Sequence, residues 1–375
     1  MSFAAIGRDA KLYLRPVMPV DSPVGLDGRV ARLAGGLNWF AGYELIAIAD
    51  GRRVFADVIA VERLDEAIAA LPDGQAGAIG ALRQRIEGAR APLQLGERVL
   101  RFDQPHVAGI LNVTPDSFSD GGAYHDDPAS AAAAGVAMAA EGAALIDLGG
   151  ESTRPGSQPV WEGDEVARVV PVIERMAASG TAISIDTRKA AVMEAALAAG
   201  AHIVNDVAAL LYDERALEVV AKAGCPVVLM HSPDPKSGGH GEHRYGDVLL
   251  DVYDWLEARI AAVVAGGVAR EKIIVDPGIG FGKSLQENLQ LVNGLALLHG
   301  LGCPIMLGVS RKRMIGALSG EAPADKRLAG SVMLAVRGAE LGAQILRVHD
   351  VAETVQAIRV WRGLRDAAMM PRGIL

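Results

Sequence analysis

Apolar residues along this chain come in short runs at regular intervals, each closed by a polar residue and followed by an alanine-rich helical stretch. In 107–122, VAGILNVTPDSFSDGG, the aliphatic run stops at Asn112 and passes into a loop of oxygen-bearing side chains stiffened by Pro115. A short uncharged run suits a strand covered on both faces. Eight such runs occur, at 109–113, 144–150, 182–186, 202–207, 226–231, 272–278, 304–310 and 344–350. Gly-Ala dipeptides at 142–143, 200–201 and 342–343 close helical runs just before strands, where glycine serves as a helix C-cap. Eight strands alternating with helices predict an α/β fold, the (β/α)8 TIM barrel. A dinucleotide-binding sheet would need a G-x-G-x-x-G after its first strand, and 109–122 has none.

Residues 1–92 break the pattern. YELIAIADGRRVFADVIAVERL, 43–64, predicts two strands joined at Ala49-Asp50-Gly51, and helical stretches follow at 65–71 and 75–89, parted by Pro72-Asp73-Gly74. The expectation is an additional small α+β N-terminal region of unassigned role, with Arg83, Arg85 and Arg90 on a solvated helix face. Residues 93–107 predict a hairpin bent at Gly96 that could close the bottom of the barrel, which makes 93–375 the catalytic domain. Deleting 1–90 should then leave the chemistry measurable.

Charge and composition narrow the function classes. A net charge of -8 argues against a nucleic-acid partner, whose phosphates demand a basic footprint. The N-terminal stretch mixes charges and prolines into each short apolar run, so neither a signal peptide nor a membrane span is expected, and the location predicted is cytoplasmic. Cys225 and Cys303, each before a proline at the start of an apolar run, read as core filler.

Barrel enzymes gather their chemistry at the C-terminal ends of the strands. Those ends carry Asn112, Asp147 with Glu151, Asp186, Asn205 with Asp206, His231, Asp276, Ser310, and Arg347 with His349. The loop GGESTRPGSQP, 149–159, offers the Thr153 hydroxyl and the Arg154 guanidinium. DPGIGFGKS, 276–284, imitates a P-loop but puts Pro277 where the first glycine belongs, so its glycines serve close approach of backbone to a ligand beneath Phe281. Strand alternation points Ser310 and Lys312 into the mouth and Arg311 and Arg313 away. Asp186, Asn205 and Asp276 suit the N–H edge of a flat neutral heterocycle such as a 2-amino-4-oxo pyrimidine. Arg154, Arg347 and His349, with Asn112 holding a divalent metal through oxygen, suit a pyrophosphate, so the mouth divides into an acidic and a basic half. No serine, cysteine or lysine stands beside a clear base, which favours direct transfer between two substrates.

LNVTPDSFSDGG, GGESTRPG, SIDT, IVNDV, LMH, DPGIGFGK, SRK and RVHDV, in this order over about residues 93–365, closely resemble the dihydropteroate synthases, the folate-pathway members of the pterin-binding barrel family. The resemblance implies condensation of 6-hydroxymethyl-7,8-dihydropterin diphosphate with 4-aminobenzoate, giving 7,8-dihydropteroate and pyrophosphate with Mg²⁺ as cofactor. It makes Asn112 the metal ligand and gives pterin contacts to Thr153, Asp186, Asn205, Asp276 and Lys312. It assigns the diphosphate to Arg347 and His349, with Val348 between them in the substrate site. Arg154, Pro155, Phe281 and Ser310 would form the 4-aminobenzoate pocket under a loop carrying Asp116 and Phe118. Lys312, Arg154, Arg347 and His349 are the implied catalytic residues, and a homodimer is expected. Two stretches depart from the family pattern: SPDPKSGGHGEHRYG after His231, where His240 and His243 read as part of a solvated loop, and residues 1–90. The rival readings are a methyltransferase of the same group, which has no use for a diphosphate subsite, and an idle pterin-binding scaffold, against which Asn112, Arg154 and Lys312 all speak.

Overall fold

The computed structural model describes residues 6–72, 74–114, 127–152, 157–236 and 243–370 of the 375. The N-terminal part is an antiparallel sheet of β1 (Lys11–Val20), β2 (Ala31–Arg32), β3 (Trp39–Ala49) and β4 (Arg52–Ala60). The strands β3 and β4 are the pair the alternation predicts, turning at Asp50 (φ 50°) and Gly51 (φ 69°). The alternation does not predict strand β1, because Pro16 and Pro19 interrupt its pattern. It pairs only with β3, and an edge strand tolerates proline because one side of its ladder stays unpaired. The helices α1 (Leu64–Ala69) and α2 (Gln75–Glu87) follow as expected.

Alternation along these strands serves two cores. Leu12, Leu14 and Leu45 pack with Ile79, Leu82 and Ile86 of α2. Tyr13 and Ile46, on the opposite face, belong to the core of the barrel. Polar contacts stitch the same seam: Tyr13 Oη donates to Asp254 at 2.9 Å, and Asn38 Nδ2 donates to the Ala339 carbonyl at 2.7 Å. Arg90 is not on a solvated face. It is buried, with Nη2 3.3 Å from both Nδ1 and the carbonyl of His299. The solvated-face reading of that arginine is therefore corrected.

Next come the short hairpin β5 (Leu93–Leu95) and β6 (Arg98–Leu100), which turns at Gly96 with φ 62°, and then the barrel strands. These are β7 (His106–Asn112), β8 (Leu145–Gly149), β9 (Ile183–Asp186), β10 (Ile203–Asp206), β11 (Val227–Met230), β12 (Ile273–Asp276), β13 (Met306–Leu307) and β14 (Ile345–Val348). They run parallel in the order β12-β11-β10-β9-β8-β7-β14-β13, and a bridge from Val275 to Ile305 closes the cylinder. Leu93, Leu95, Leu100 and Phe102 of the hairpin pack with Ala108, Leu145, Ile203, Val228, Ile274, Met306 and Ile345, so the hairpin plugs the barrel floor as its apolar pattern predicts. Strand β13 is shorter than its apolar run, because the chain turns away after Leu307 and Arg311 adopts φ 56°.

Around the cylinder lie α3 (Pro128–Glu141), α4 (Glu162–Ala178), α5 (Ala190–Ala198), α6 (Ala216–Ala223), α7 (Val248–Ala265), α8 (Leu285–Gly294), α9 (Arg313–Leu318), α10 (Leu328–Glu340) and α11 (Val351–Ala368). Gly142 closes α3 at φ 116°, and Gly200 (φ 111°) and Gly342 (φ 90°) follow the ends of α5 and α10, the left-handed geometry the Gly-Ala punctuation implies. Among the described residues no helix is long and apolar enough to cross a membrane.

Candidate functional site

Register assembles the mouth. Asn112 pairs with Gly149, Gly149 with Asp186, and Asp186 with Asn205, so one row runs across four adjacent strands. Gly149 leaves a gap in that row: a Cβ there would lie 3.4 Å from Asn112 Oδ1 and 3.7 Å from the Asp186 Cβ. Gly308 does the same opposite, where a Cβ would sit 3.8 Å from Asp276 Oδ2 and 3.9 Å from Arg347 Cδ. Two side-chain-free positions thus leave room between the acidic tips.

The wall of this space is a buried polar network. Asp147 Oδ2 accepts from Asn205 Nδ2 at 3.0 Å and from Arg347 Nε at 2.5 Å, while Arg347 Nη2 reaches Asp186 Oδ2 at 2.7 Å. The other oxygens, Asp147 Oδ1 and Asp186 Oδ1, are buried with no hydrogen-bond partner among the described residues. Burial raises the Asp186 carboxyl to about 7; the Arg347 charge opposes this and the Asp147 charge adds to it. Burial works against the Arg347 charge as well, but Asp147 and Asp186 hold it above its ordinary range. Asp276 is buried, accepts from the Gly278 backbone N–H at 2.7 Å, and is raised by the same desolvation.

The division of the mouth into an acidic and a basic half is corrected here. Arg347 lies inside the acidic half, because two buried carboxylates without a cation would cost several kcal/mol, on the order of the penalty for a broken buried pair. Asp147, named among the strand ends but given no contact there, is the residue whose role the sequence reading missed. Its signal was available, since an acid inside the apolar run ALIDLGG two positions before Gly149 points to the same side of the strand. Val348 is buried between Arg347 and His349. His349 follows the end of β14, with Nδ1 3.0 Å from Ser310 Oγ, and its backbone N–H donates to the same hydroxyl at 3.2 Å. The pairing of Ser310 with His349 crosses the two subsites that the resemblance separates.

Across the mouth, Lys312 Nζ stands 4.5 Å over the Phe281 ring. Arg311 turns away to the Asp350 carboxylate at 2.5 Å, as alternation expected, although no strand continues that far. Gly278 could not carry a side chain: a Cβ there would lie 1.9 Å from the His231 carbonyl.

Several polar strand ends are structural. Asp206 accepts from the backbone N–H groups of Ala208 and Leu210, both at 2.7 Å. Glu151 pairs with Arg188 and Lys189, and Lys189 Nζ also reaches Glu165 Oε2 at 2.6 Å. His231 is buried against Trp255, its ring pushed down to about 2 by burial and then by Lys283, which keeps the imidazole neutral. Thr153, Arg154, Pro155, Asp116, Phe118 and His240 lie outside the described residues. Among the described residues no three His, Cys, Asp or Glu side chains converge as a metal site. Asn112 therefore offers a single amide oxygen beside the Gly149 gap, a donor set that fits Mg²⁺ held mainly by substrate phosphates and water.

A barrel with a buried carboxylate–amide wall under its strand tips defines a class, and the chain belongs to it: residues 108–349 match the model of the pterin binding enzyme family. The relatives specify the member. The dihydropteroate synthase of Neisseria meningitidis serogroup B is 45% identical over 281 residues, covering 74% of this chain and 98% of that protein. The Xanthomonas albilineans dihydropteroate synthase solved with 4-aminobenzoic acid superposes with a TM-score of 0.69 at 46% identity, over 74% of this chain and 99% of that one. The same enzyme in complex with 7,8-dihydropteroate gives a TM-score of 0.66 at 45% identity, over 73% and 99% of the two chains.

Proposed function

We propose that the chain is a dihydropteroate synthase that joins 6-hydroxymethyl-7,8-dihydropterin diphosphate to 4-aminobenzoate, releasing pyrophosphate. The observation that carries the substrate assignment is the pair of buried oxygens, Asp147 Oδ1 and Asp186 Oδ1, that find no partner among the described residues, in a wall whose other polar atoms are largely paired. Unmet acceptors at that depth are costly unless a ligand brings N–H donors, and the amino-pyrimidine edge of a pterin supplies them.

In this reading Asp186, Asn205 and Asp276 orient the ring, with Asp147 behind them. The bond from the substrate methylene to the diphosphate oxygen breaks, the electron pair leaving with pyrophosphate. The ring delocalises the cation left on the methylene, the arylamine nitrogen forms the new C–N bond, and its proton passes to solvent. Lys312 bridges the two substrates from its place over Phe281 and His349 bears on the departing charge, while Arg347 holds the Asp147 and Asp186 carboxylates in place. Thr153, Arg154 and Pro155 complete the set by resemblance. Asn112 would hold Mg²⁺, which when bound offsets negative charge on the leaving group.

The test is incubation of purified protein with the pterin diphosphate, 4-aminobenzoate and Mg²⁺. Pyrophosphate and dihydropteroate should appear together and vanish when either substrate is omitted. Pterin binding without product would leave the chain a pterin carrier and sink the assignment. Asn112→Ala should shift the Mg²⁺ titration to higher concentration, and an unmoved curve would remove Asn112 from the metal. The same reading makes the protein a cytoplasmic homodimer without nucleic-acid or membrane partners. Exposed Leu318, Leu328, Met333, Val360 and Leu364 on the neighbouring helices α9, α10 and α11 favour a second copy. Met333→Glu should lower the mass seen by light scattering to that of one chain.

A further inference from the structure

We propose that Lys283 is a positioning residue for the 4-aminobenzoate side of the site, acting through the loop between β12 and α8; the proposal rests on the activity assigned above. The Lys283 side chain turns back into its own loop. Its Nζ donates to the carbonyls of Gly278 at 2.8 Å and Phe281 at 3.0 Å, and approaches that of His231 at 3.5 Å. Three acceptors match the three N–H bonds of an ammonium.

Each anchored peptide carries a site group. Gly278 gives its N–H to Asp276 Oδ1 at 2.7 Å, and Phe281 presents the ring over which Lys312 stands. The loop needs such anchoring, since Gly278, Gly280 and Gly282 all hold positive φ, at 67°, 84° and 55°. Asn288 braces the other side, its Oδ1 accepting from the Gly280 N–H at 2.7 Å and its Nδ2 donating to the Lys283 carbonyl at 3.0 Å. One half-buried amine therefore braces both the carboxylate on the pterin side and the Phe281–Lys312 pair.

The groups facing Lys283 are Asp276 on β12, Lys312 at the start of α9, Glu287 on α8 and the neutral His231 at the tip of β11. Burial lowers the Lys283 amine to about 7, Asp276 working against this and Lys312 with it. As pH rises through that value the ammonium loses a proton, and with it one of its three donated bonds. Phe281 should then be held less firmly on the alkaline side, whereas 4-aminobenzoate keeps the same charge throughout.

The experiment measures 4-aminobenzoate affinity by calorimetry, with turnover at saturating pterin diphosphate alongside, for the parent, Lys283→Met and Lys283→Arg over about pH 6 to 9. The parent should weaken across that range. Lys283→Met, with its melting temperature close to the parent's, should bind about 10- to 100-fold more weakly at the acid end and lose the pH dependence. Lys283→Arg should keep most of the affinity with a flat profile, because its charge persists. A parent profile flat over the whole range overturns the proposal, as does Lys283→Met within about threefold of the parent with the same slope. If Lys283→Met does not fold, the parent profile and Lys283→Arg decide. A parent that makes product but shows a flat profile refutes only this role, whereas a parent that neither binds nor turns over refutes the activity beneath it.

Discussion

Replacing Arg347 by methionine tests whether the buried carboxylates are held by charge or by packing. The substitution keeps an unbranched side chain but removes the contacts at 2.5 Å to Asp147 and 2.7 Å to Asp186, leaving two buried acids of like sign. Among the described residues Asp147 keeps only the Asn205 amide, and one oxygen of each acid is already without a partner. Breaking a buried pair in this way costs about 3–5 kcal/mol. At about 2.1 cal/mol/K per residue the unfolding entropy of a chain of 375 residues is about 0.8 kcal/mol/K, so the melting temperature should fall by about 5 °C. The loss carries a pH signature. Without the guanidinium the folded-state pKa of Asp186 rises further above the unfolded value, so the native state binds more protons than the unfolded chain and stability falls as pH rises. Asp186 already stands at about 7 with Arg347 present, so the gap between parent and variant should widen from about pH 6 to 9 in thermal scans. Adding Asp147→Asn should close most of that gap by removing one charge. A deficit that is the same at both pH values and indifferent to Asp147→Asn would show that Arg347 acts through packing, and the charge argument would fail.

Lys312→Ala should lower turnover by about 100-fold or more with the melting temperature nearly unchanged, because the amine works at the mouth and not in the core; near-normal pyrophosphate release would refute its role. Gly149→Ala places a methyl 3.4 Å from Asn112 Oδ1, an ordinary contact, so the protein should fold but bind the pterin substrate about tenfold more weakly, as calorimetry would show. The break in pattern at residues 1–90 predicts that deleting them leaves the chemistry measurable, whereas the packing of the two parts predicts an unstable fragment. The deletion removes Tyr13 and Ile46 from the barrel core and uncovers the buried segment Leu295–Leu301, so the fragment should aggregate in light scattering. A monodisperse fragment with the parent's activity would show the seam to be dispensable.

The eight-strand barrel, the floor hairpin and most of the candidate site were legible in the sequence because they rest on local rules. Apolar runs of strand length, glycine at helix ends and polar residues at strand tips all follow from burial and backbone geometry within a few residues. Arg347 could not be placed in the same way: two residues before His349 it reads as one half of an anion site, yet the closed cylinder sets it between Asp147 and Asp186, some 160 to 200 positions away in sequence. Lys283 similarly reads as the end of a failed P-loop until the fold brings the His231 carbonyl to it. Sequence determines which side chains reach the strand tips, because periodicity is local. Which of them neutralise one another is decided by barrel closure, because Coulomb and desolvation energies depend on distances that only the tertiary structure creates.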